Sequence, residues 1–234
     1  MIPCRSFHSL IRQTIYSDID LTPARKITNR AGFKKIVGKF PSLKMGRTVM
    51  WESQIERDFL YLLEFDPDVS FFIEQPEEIS YVYVSKTHRY YPDFYVERAS
   101  AKELVEIKPA SKVNDPDNKI KFLAGEEYCR KKGYLFRVVT DEQIREGSLL
   151  KNIKLLYRYA AVNVSGEFRL HTKELVENRE EMNLRELISI LKERFGQVAI
   201  GNTYSLLYYQ FLVADLEKPL SDIAIIKWTS KGGE

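Results

Sequence analysis

Apolar residues between positions 48 and 65 recur with the period of a helix. At about 100° per residue, four of them share one face, namely Ile55, Phe59, Leu62 and Leu63. The pattern predicts an amphipathic helix over residues 48–65. The polar turn Asp66-Pro67-Asp68 predicts where this helix ends.

The chain after this helix has the composition and alternation of β-strands. Strands are expected at residues 79–84, 90–97 and 104–108, which are rich in aromatic and β-branched residues. The short segment between the last two strands, residues 98–102, has the length of a hairpin connection.

A second helix and a fourth strand are predicted next. Asp115 suits an N-cap, Pro116 suits the first helical position, and Gly133 suits the position just past a helix end. Residues 134–140 have the composition of a buried strand. The predicted order is helix, three strands, helix, strand, which is an α/β arrangement.

The last part of the chain is predicted to be mainly helical. Helices are expected at residues 149–161, 183–195 and 202–216, and a short strand at residues 223–228. Three helices followed by a strand resemble a winged-helix module. The expected segments are a basic N-terminal arm (1–45), a core domain (46–161) and a small, mainly helical, winged-helix-like C-terminal domain (162–234).

Composition excludes several classes of protein. Hydrophobic residues make up 44% and charged residues 29%, which is ordinary for a chain with a packed core. Charges interrupt the apolar runs, so no transmembrane helix is expected, and Arg5 and His8 interrupt the N-terminus where a signal peptide would be apolar. Cys4 and Cys129 cannot form a disulfide framework, which favours the cytoplasm.

Basic charge is concentrated near the N-terminus. The net charge is only +3, yet residues 21–50 contain no acidic side chain. Such a one-sided excess favours a polyanion such as DNA over a merely solvated arm. The predicted DNA-binding residues are Lys34, Lys35, Lys39, Lys44 and Arg47, with Lys112 just beyond the third predicted strand.

Candidate chemistry lies on the second and third predicted strands. Residues two apart in a strand share a face, so Glu106 and Lys108 project together. A hairpin turn near Ser100 places Asp93 across from Glu106 or Ile107. Two carboxylates that converge in this way repel unless a cation lies between them, and oxygen ligands suit Mg²⁺. A salt bridge on a solvated sheet face is the alternative.

The first predicted helix adds two further acids. Glu52 and Glu56 both fall within its apolar stripe, where a carboxylate is costly unless it is paired or binds a metal. Either side chain could reach the cluster formed by Asp93 and Glu106.

The combination of Pro-Asp with Glu-x-Lys on this order of elements resembles the PD-(D/E)xK nuclease superfamily, with its restriction-endonuclease-like fold. A longer series of segments resembles TnsA, the endonuclease family of heteromeric cut-and-paste transposons, over about residues 38–140. The segments that carry this resemblance are Gly38–Lys44, Glu52–Asp58, Phe65–Pro67, Glu74–Pro76, Tyr91–Phe94 and Val105–Pro109.

The resemblance implies a mixed sheet and four catalytic residues, Glu56, Asp93, Glu106 and Lys108. It also implies Mg²⁺, with Mn²⁺ as an alternative ion, held by the three acids and the backbone carbonyl of Ile107. Lys108 is expected to orient the attacking water, and to accept a proton if burial lowers its pKa.

The implied reaction is hydrolysis of the 5′ strands of double-stranded DNA at transposon ends, in a prokaryotic, nucleoid-associated complex in the cytoplasm. The implied partners are a TnsB-like transposase and a TnsC-like AAA+ ATPase, and no membrane. The apolar content of residues 206–212 favours a C-terminal domain that docks the ATPase over one that reads DNA. The alternatives are a stand-alone restriction or repair nuclease of the same superfamily, and a non-catalytic DNA-binding assembly protein.

Overall fold

The computed structural model describes residues 23–25 and 37–229. Beyond the isolated segment 23–25, the described chain begins with a hairpin that the sequence pattern did not predict. Strand β1 (Gly38–Ser42) pairs antiparallel with β2 (Arg47–Trp51), and Phe40 lies opposite Val49. Both of these side chains are buried in the first hydrophobic core. The prediction that residues 38–45 belong to an arm is therefore wrong, because basic residues alternate here with buried ones.

The first helix begins later than predicted. Helix α1 spans Gln54–Phe65 rather than residues 48–65, because Ser53 is its N-cap and Ser53 Oγ accepts the N–H of Glu56 at 3.1 Å. The predicted end at Phe65 is confirmed, and Phe59 and Leu63 are buried as their spacing indicated.

The next strands along the chain are β3 (Val69–Glu74), β4 (Ile79–Tyr83), β5 (Lys86–Tyr90), β6 (Phe94–Arg98), β7 (Lys102–Lys108) and β8 (Leu135–Thr140). Four of them form a mixed sheet in the order β3-β6-β7-β8. Strand β6 pairs antiparallel with both β3 and β7, whereas β8 is parallel to β7.

Helix α2 (Pro116–Lys132) makes the crossover from β7 to its parallel neighbour β8. Its predicted ends are confirmed, since Asp115 caps its start and Gly133 follows its end with a φ of 72°. The order α1-β3-β6-β7-α2-β8 is the predicted αβββαβ core, so the restriction-endonuclease-like fold class is confirmed.

Two predicted strands need correction. The first core strand is β3, which the pattern missed because five of its six residues are buried and it lacks alternation. The predicted strand at 79–84 instead forms a separate hairpin, in which β4 pairs with β5. The predicted strand at 90–97 is divided, because β5 ends at Tyr90 and β6 begins at Phe94.

The rest of the described chain is mainly helical, as predicted. The predicted helix at 183–195 is confirmed as α6 (Leu184–Phe195), which has Asn183 as its N-cap and is followed by Gly196. Helix α5 (Gly166–Glu177) was not predicted, and α7 (Val198–Tyr208) begins and ends several residues before the predicted helix at 202–216. The elements are α3 (Asp141–Ile144), α4 (Leu149–Tyr157), α5 (Gly166–Glu177), α6 (Leu184–Phe195), α7 (Val198–Tyr208), β9 (Leu212–Val213) and β10 (Lys227–Trp228), of which β9 and β10 pair antiparallel.

The buried apolar side chains form two clusters. The first extends from Phe40 to Leu150 and the second from Leu156 to Ile226, and the ring of Tyr157 packs against both. The change from one cluster to the other therefore falls within α4, while the division at residues 161 and 162 and the winged-helix assignment stay predictions. No helix in residues 37–229 combines the length and apolar character needed to cross a membrane.

Candidate active site

The candidate site lies where β6 begins and β7 ends. Phe94 pairs with Val105, and this register places Asp93, the residue just before β6, across from Glu106. The hairpin register predicted from the turn near Ser100 is therefore confirmed. Asp93 Oδ2 accepts the backbone N–H of Ile107 at 2.7 Å, which fixes its carboxylate beside β7.

Lys108 joins the oxygens of this cluster. Its ammonium group donates to the carboxylate of Glu106 and, at 3.2 Å, to the backbone carbonyl of Ile107. The same nitrogen lies 3.9 Å from Asp93 Oδ2. Two carboxylates and a carbonyl thus converge on one cationic centre, which is the convergence that the sequence predicted.

Tyr90 completes the environment of Glu106. The Glu106 side chain is buried, and its Oε2 accepts the hydroxyl of Tyr90 at 2.7 Å while its other oxygen faces Lys108. Burial raises the pKa of Tyr90, and the charge of Glu106 raises it further, so Tyr90 is a neutral hydrogen-bond donor.

Burial and like charges govern the ionisation of the site. Burial raises the pKa of Asp93 well above its ordinary value, and the charges of Glu106 and Glu56 reinforce the effect. Burial alone would lower the pKa of Lys108, but the neighbouring carboxylates Asp93 and Glu106 raise it overall. Lys108 is therefore an ammonium ion, and the option that it accepts a proton is not supported by this arrangement.

The two acids near the start of α1 occupy different positions. Glu56 Oε2 accepts the backbone N–H of Glu52 at 2.8 Å, and the Glu56 charge acts on both Asp93 and Lys108. Burial raises the pKa of Glu56. Glu52, which precedes the helix, forms an ion pair with Arg25 at 2.7 Å.

An open cavity of about 190 Å³ lies over this cluster. Three of the four predicted catalytic residues line it. The fourth, Glu56, does not, whereas the neighbouring acid Glu52 does. The described residues that line it are Arg25, Glu52, Gln75, Arg89, Tyr90, Tyr91, Asp93, Glu106, Lys108 and Lys121.

Gln75 connects the cluster to the N-terminal segment. It is buried with a φ of 43°, and its backbone N–H donates to the carbonyl of Asp93 at 2.9 Å. Its side-chain oxygen accepts a hydrogen bond of 2.7 Å from Arg25 Nε. Sequence reasoning did not identify Arg25, Arg89, Tyr90 or Lys121, because nothing in their local pattern signals a long-range contact.

The predicted DNA-binding residues are dispersed. Lys34 and Lys35 lie outside the described residues. Lys44 Nζ donates to the carbonyls of Leu63 and Asp66 at the end of α1, at 2.8 and 2.5 Å.

Arg47 forms a bidentate ion pair with buried Glu74, with N–O distances of 3.0 and 2.6 Å. Lys39 and Lys112 are exposed, and neither is among the residues that line the cavity. Lys44 and Arg47 thus have structural contacts of their own, and DNA binding by this group stays a prediction.

A metal ion at this site would have to be bound by carboxylate and backbone carbonyl oxygens together. Within residues 23–25 and 37–229, no group of three or more His, Cys, Asp and Glu side chains is arranged to hold a metal. Asp93, Glu106 and the Ile107 carbonyl nevertheless converge on the Lys108 ammonium. An oxygen-only donor set around a position that already attracts a cation fits Mg²⁺ better than it fits softer metals.

A comparison with known families gives a match, which covers the part of the chain that carries most of the candidate site. Residues 66–141 match the profile of the family described as TnsA-like endonuclease N terminal, and the match includes Asp93, Glu106 and Lys108. No curated protein shows significant similarity to the chain. The resemblance seen in the sequence is therefore confirmed for this part of the chain, and residues 66–141 are similar to the N-terminal domain of TnsA-like endonucleases.

Proposed function

We propose that the chain is the Mg²⁺-dependent endonuclease subunit of a heteromeric cut-and-paste transposase and hydrolyses the 5′ strands at transposon ends. The observation that carries the proposal is the convergence of Asp93, Glu106 and Lys108 at a cavity within the matched domain. A TnsA-like endonuclease domain supports nuclease activity in general, and the finer assignment is our inference.

The oxygen donors have distinct tasks in this proposal. Asp93, Glu106 and the Ile107 carbonyl would hold Mg²⁺ or Mn²⁺, with Glu56 as a further acid whose charge acts on the same cluster. A bound divalent ion supplies charge neutralisation at the phosphate and lowers the pKa of water. The raised pKa of Asp93 is consistent with this role, because a second cation would offset the repulsion from Glu106 and Glu56.

The remaining polar side chains would position the substrate. Lys108 is charged, so it would orient the attacking water and stabilise negative charge on the phosphate. Tyr90 holds one oxygen of Glu106 and leaves the other directed toward the centre. Arg25 and Lys121, in the wall of the cavity, would bind flanking phosphates.

The partner assignment rests on the family and on charge. We propose a TnsB-like transposase and a TnsC-like AAA+ ATPase as partners, the latter docking on the C-terminal domain. Glutamates at the start of that domain disfavour DNA phosphates; they are Glu174, Glu177, Glu180 and Glu181.

The apolar content of residues 206–212 no longer supports docking. Leu206, Leu207, Tyr208 and Leu212 are all buried in the second core.

The test is strand-specific cleavage of transposon-end DNA by the reconstituted complex, with wild-type chain, Asp93→Ala or Glu106→Ala. We expect either substitution to abolish 5′ cleavage while the transposase still cuts the 3′ strands. Wild-type 5′ cleavage by both variants would refute the assignment. Cleavage by the isolated chain would favour a stand-alone nuclease. The non-catalytic alternative requires that the wild-type complex leave the 5′ strands intact.

A further inference from the structure

The β4–β5 hairpin projects from the candidate active site. Its two outer residues, Ile79 and Tyr90, pair with each other and are both buried. Tyr90 also reaches Glu106 with its hydroxyl group. The root of the hairpin is therefore fixed at the catalytic cluster, and the position of its tip is tied to the position of that cluster.

The tip of the hairpin is apolar and exposed. Val82 and Val84 are 74% and 73% exposed, and Tyr83 is 46% exposed. Val84 and the next residue, Ser85, have φ values of 48° and 58°, which glycine or asparagine would adopt at less cost. A β-branched residue in this conformation is unfavourable for folding and is typical of a position with another role.

The hairpin carries basic and no acidic side chains. Residues 79–90 contain Lys86, His88 and Arg89 but neither Asp nor Glu. Arg89 is 71% exposed, and its pair with Glu78 at 3.4 Å is correspondingly weak. Arg89 also lines the cavity, so the positive charge of the hairpin is continuous with the candidate active site.

The register places charge and apolar surface on the same face. Ser80 pairs with Arg89 and Val82 pairs with Thr87, so Arg89 and Val82 project to one side. On the other side, Tyr81 stacks on His88 with ring centroids 5.3 Å apart. A DNA strand that leaves the cavity along this face would pass Arg89 first and then Val82 and the tip.

We propose that the β4–β5 hairpin is a DNA-binding ribbon that contacts the duplex beside the cleaved bond. Arg89 contacts the backbone, while Val82, Tyr83 and Val84 enter a groove. A two-stranded ribbon fits the major groove, and apolar side chains are also used as wedges between base steps. The inference rests on the proposed DNA substrate. DNA is favoured over a protein partner because the ribbon has no acid and shares Arg89 with the cavity.

The first experiment is photocrosslinking with a benzoylphenylalanine residue at position 83 of the full chain, with and without the transposase. The probe is a DNA duplex that carries a transposon end and its flank. We expect crosslinks to bases close to the 5′ cleavage site. The matched control places the same residue at Leu170, which is 59% exposed in α5, and we expect no such crosslink there.

The second experiment compares binding to that duplex by the triple variant V82S/Y83S/V84N with binding by R89Q. The triple variant removes the apolar tip but keeps a turn that Asn favours. We expect its affinity to fall about tenfold with an unchanged salt dependence, because it loses no charge. R89Q should reduce the slope of log K against log salt by about 0.9, because it loses one phosphate contact.

The outcomes separate this inference from the proposed function. If the wild-type chain binds and cuts DNA but the triple variant binds equally well and position 83 crosslinks to the transposase, the hairpin is a protein-docking element and the inference is wrong. If the wild-type complex neither binds the duplex through this chain nor cuts its 5′ strands, the proposed function itself is wrong. Thermal unfolding of the single variant V84N tests whether the turn still forms. This variant should be at least as stable as wild type.

Discussion

The hydroxyl group of Tyr90 donates a hydrogen bond of 2.7 Å to Oε2 of Glu106, so the last residue of β5 is part of the candidate active site. Glu106 is buried, and the other neighbour of its carboxylate is Lys108. This one hydrogen bond couples the position of the β4–β5 hairpin to the orientation of the central carboxylate.

Replacement of Tyr90 by Phe should therefore impair cleavage without unfolding the protein. A buried carboxylate oxygen that loses its donor costs about 1–3 kcal/mol, and its orientation toward the centre is lost. We expect 5′ cleavage to fall about 10- to 100-fold, as is usual for groups that hold a metal ligand. Tyr209→Phe is the control, because the hydroxyl of Tyr209 donates instead to the carbonyl of Ala160, a residue of the second core, at 2.7 Å. Equal activity of Y90F and wild type would show that the hydrogen bond does not matter.

Asp93→Asn should stabilise the metal-free protein at neutral pH. The raised pKa of Asp93 means that the folded chain holds this proton more tightly than the unfolded chain does. The contribution of Asp93 to the free energy of unfolding is therefore largest below the ordinary pKa of 3.8 and falls as pH rises through the higher folded-state pKa. Asparagine carries no charge and avoids this loss.

The measurement for Asp93→Asn is urea unfolding across pH, with and without Mg²⁺. Without Mg²⁺ the variant should gain stability relative to wild type as pH rises. Mg²⁺ should stabilise the wild type and have little effect on the variant, a result that needs no activity assay. Asp222→Asn, at an exposed ion pair with Arg185, is the control. A variant that Mg²⁺ stabilises as strongly as wild type would exclude Asp93 as a ligand.

Glu56→Gln should reduce cleavage more than Glu52→Gln does. The charge of Glu56 acts on Asp93 and Lys108, whereas Glu52 forms an ion pair with Arg25. We expect a 10- to 100-fold loss for E56Q and a smaller loss for E52Q. The measurement is the single-turnover rate of 5′ cleavage by each variant. Glu52 lines the cavity, so a larger loss for E52Q than for E56Q would mean that Glu52 is the acid from this region that acts at the site.

Neutralisation of Lys34, Lys35 and Lys39 together should weaken DNA binding and flatten its salt dependence. Each phosphate contact that is lost reduces the slope of log K against log salt by about 0.9. The matched comparison is Lys44→Ala, because Lys44 already bonds to two carbonyls at the end of α1 and should change stability more than the slope. A triple variant with the wild-type slope would place these lysines away from DNA.

Some features could be predicted from the sequence because local geometry determines them. The register that opposes Asp93 and Glu106 follows from the length of the hairpin turn, and α2 follows from its caps Asp115 and Gly133. Other features depend on distant residues. Strand β3 is buried on both faces and shows no strand period, and the contact of Arg25 with Gln75 joins residues that no local pattern connects.

Asp58 shows the same limit in the helix that carries Glu56. Its side chain is buried, with Lys154 Nζ at 2.5 Å and Arg145 Nε at 2.9 Å, so it ties α1 to α4 and to the end of α3. Burial acts to raise the pKa of Asp58, but the hydrogen bonds from Lys154 and Arg145 outweigh it and lower the pKa overall. The pKa of Asp58 is thus shifted in the opposite direction to that of Asp93, although burial acts to raise the pKa of both aspartates.

Asp58→Asn should therefore destabilise the protein at neutral pH and much less in acid. A group with a lowered pKa contributes stability above its ordinary pKa of 3.8, and that stability is lost as pH falls through the folded-state value. Lys154 and Arg145 are partly exposed, so water can solvate them in the variant, and we expect a loss of about 1–3 kcal/mol rather than the 3–5 kcal/mol typical of a fully buried pair. Urea unfolding of D58N at neutral and acidic pH measures this difference. A loss of the same size at both pH values would mean that Asp58 acts through packing and not through its charge.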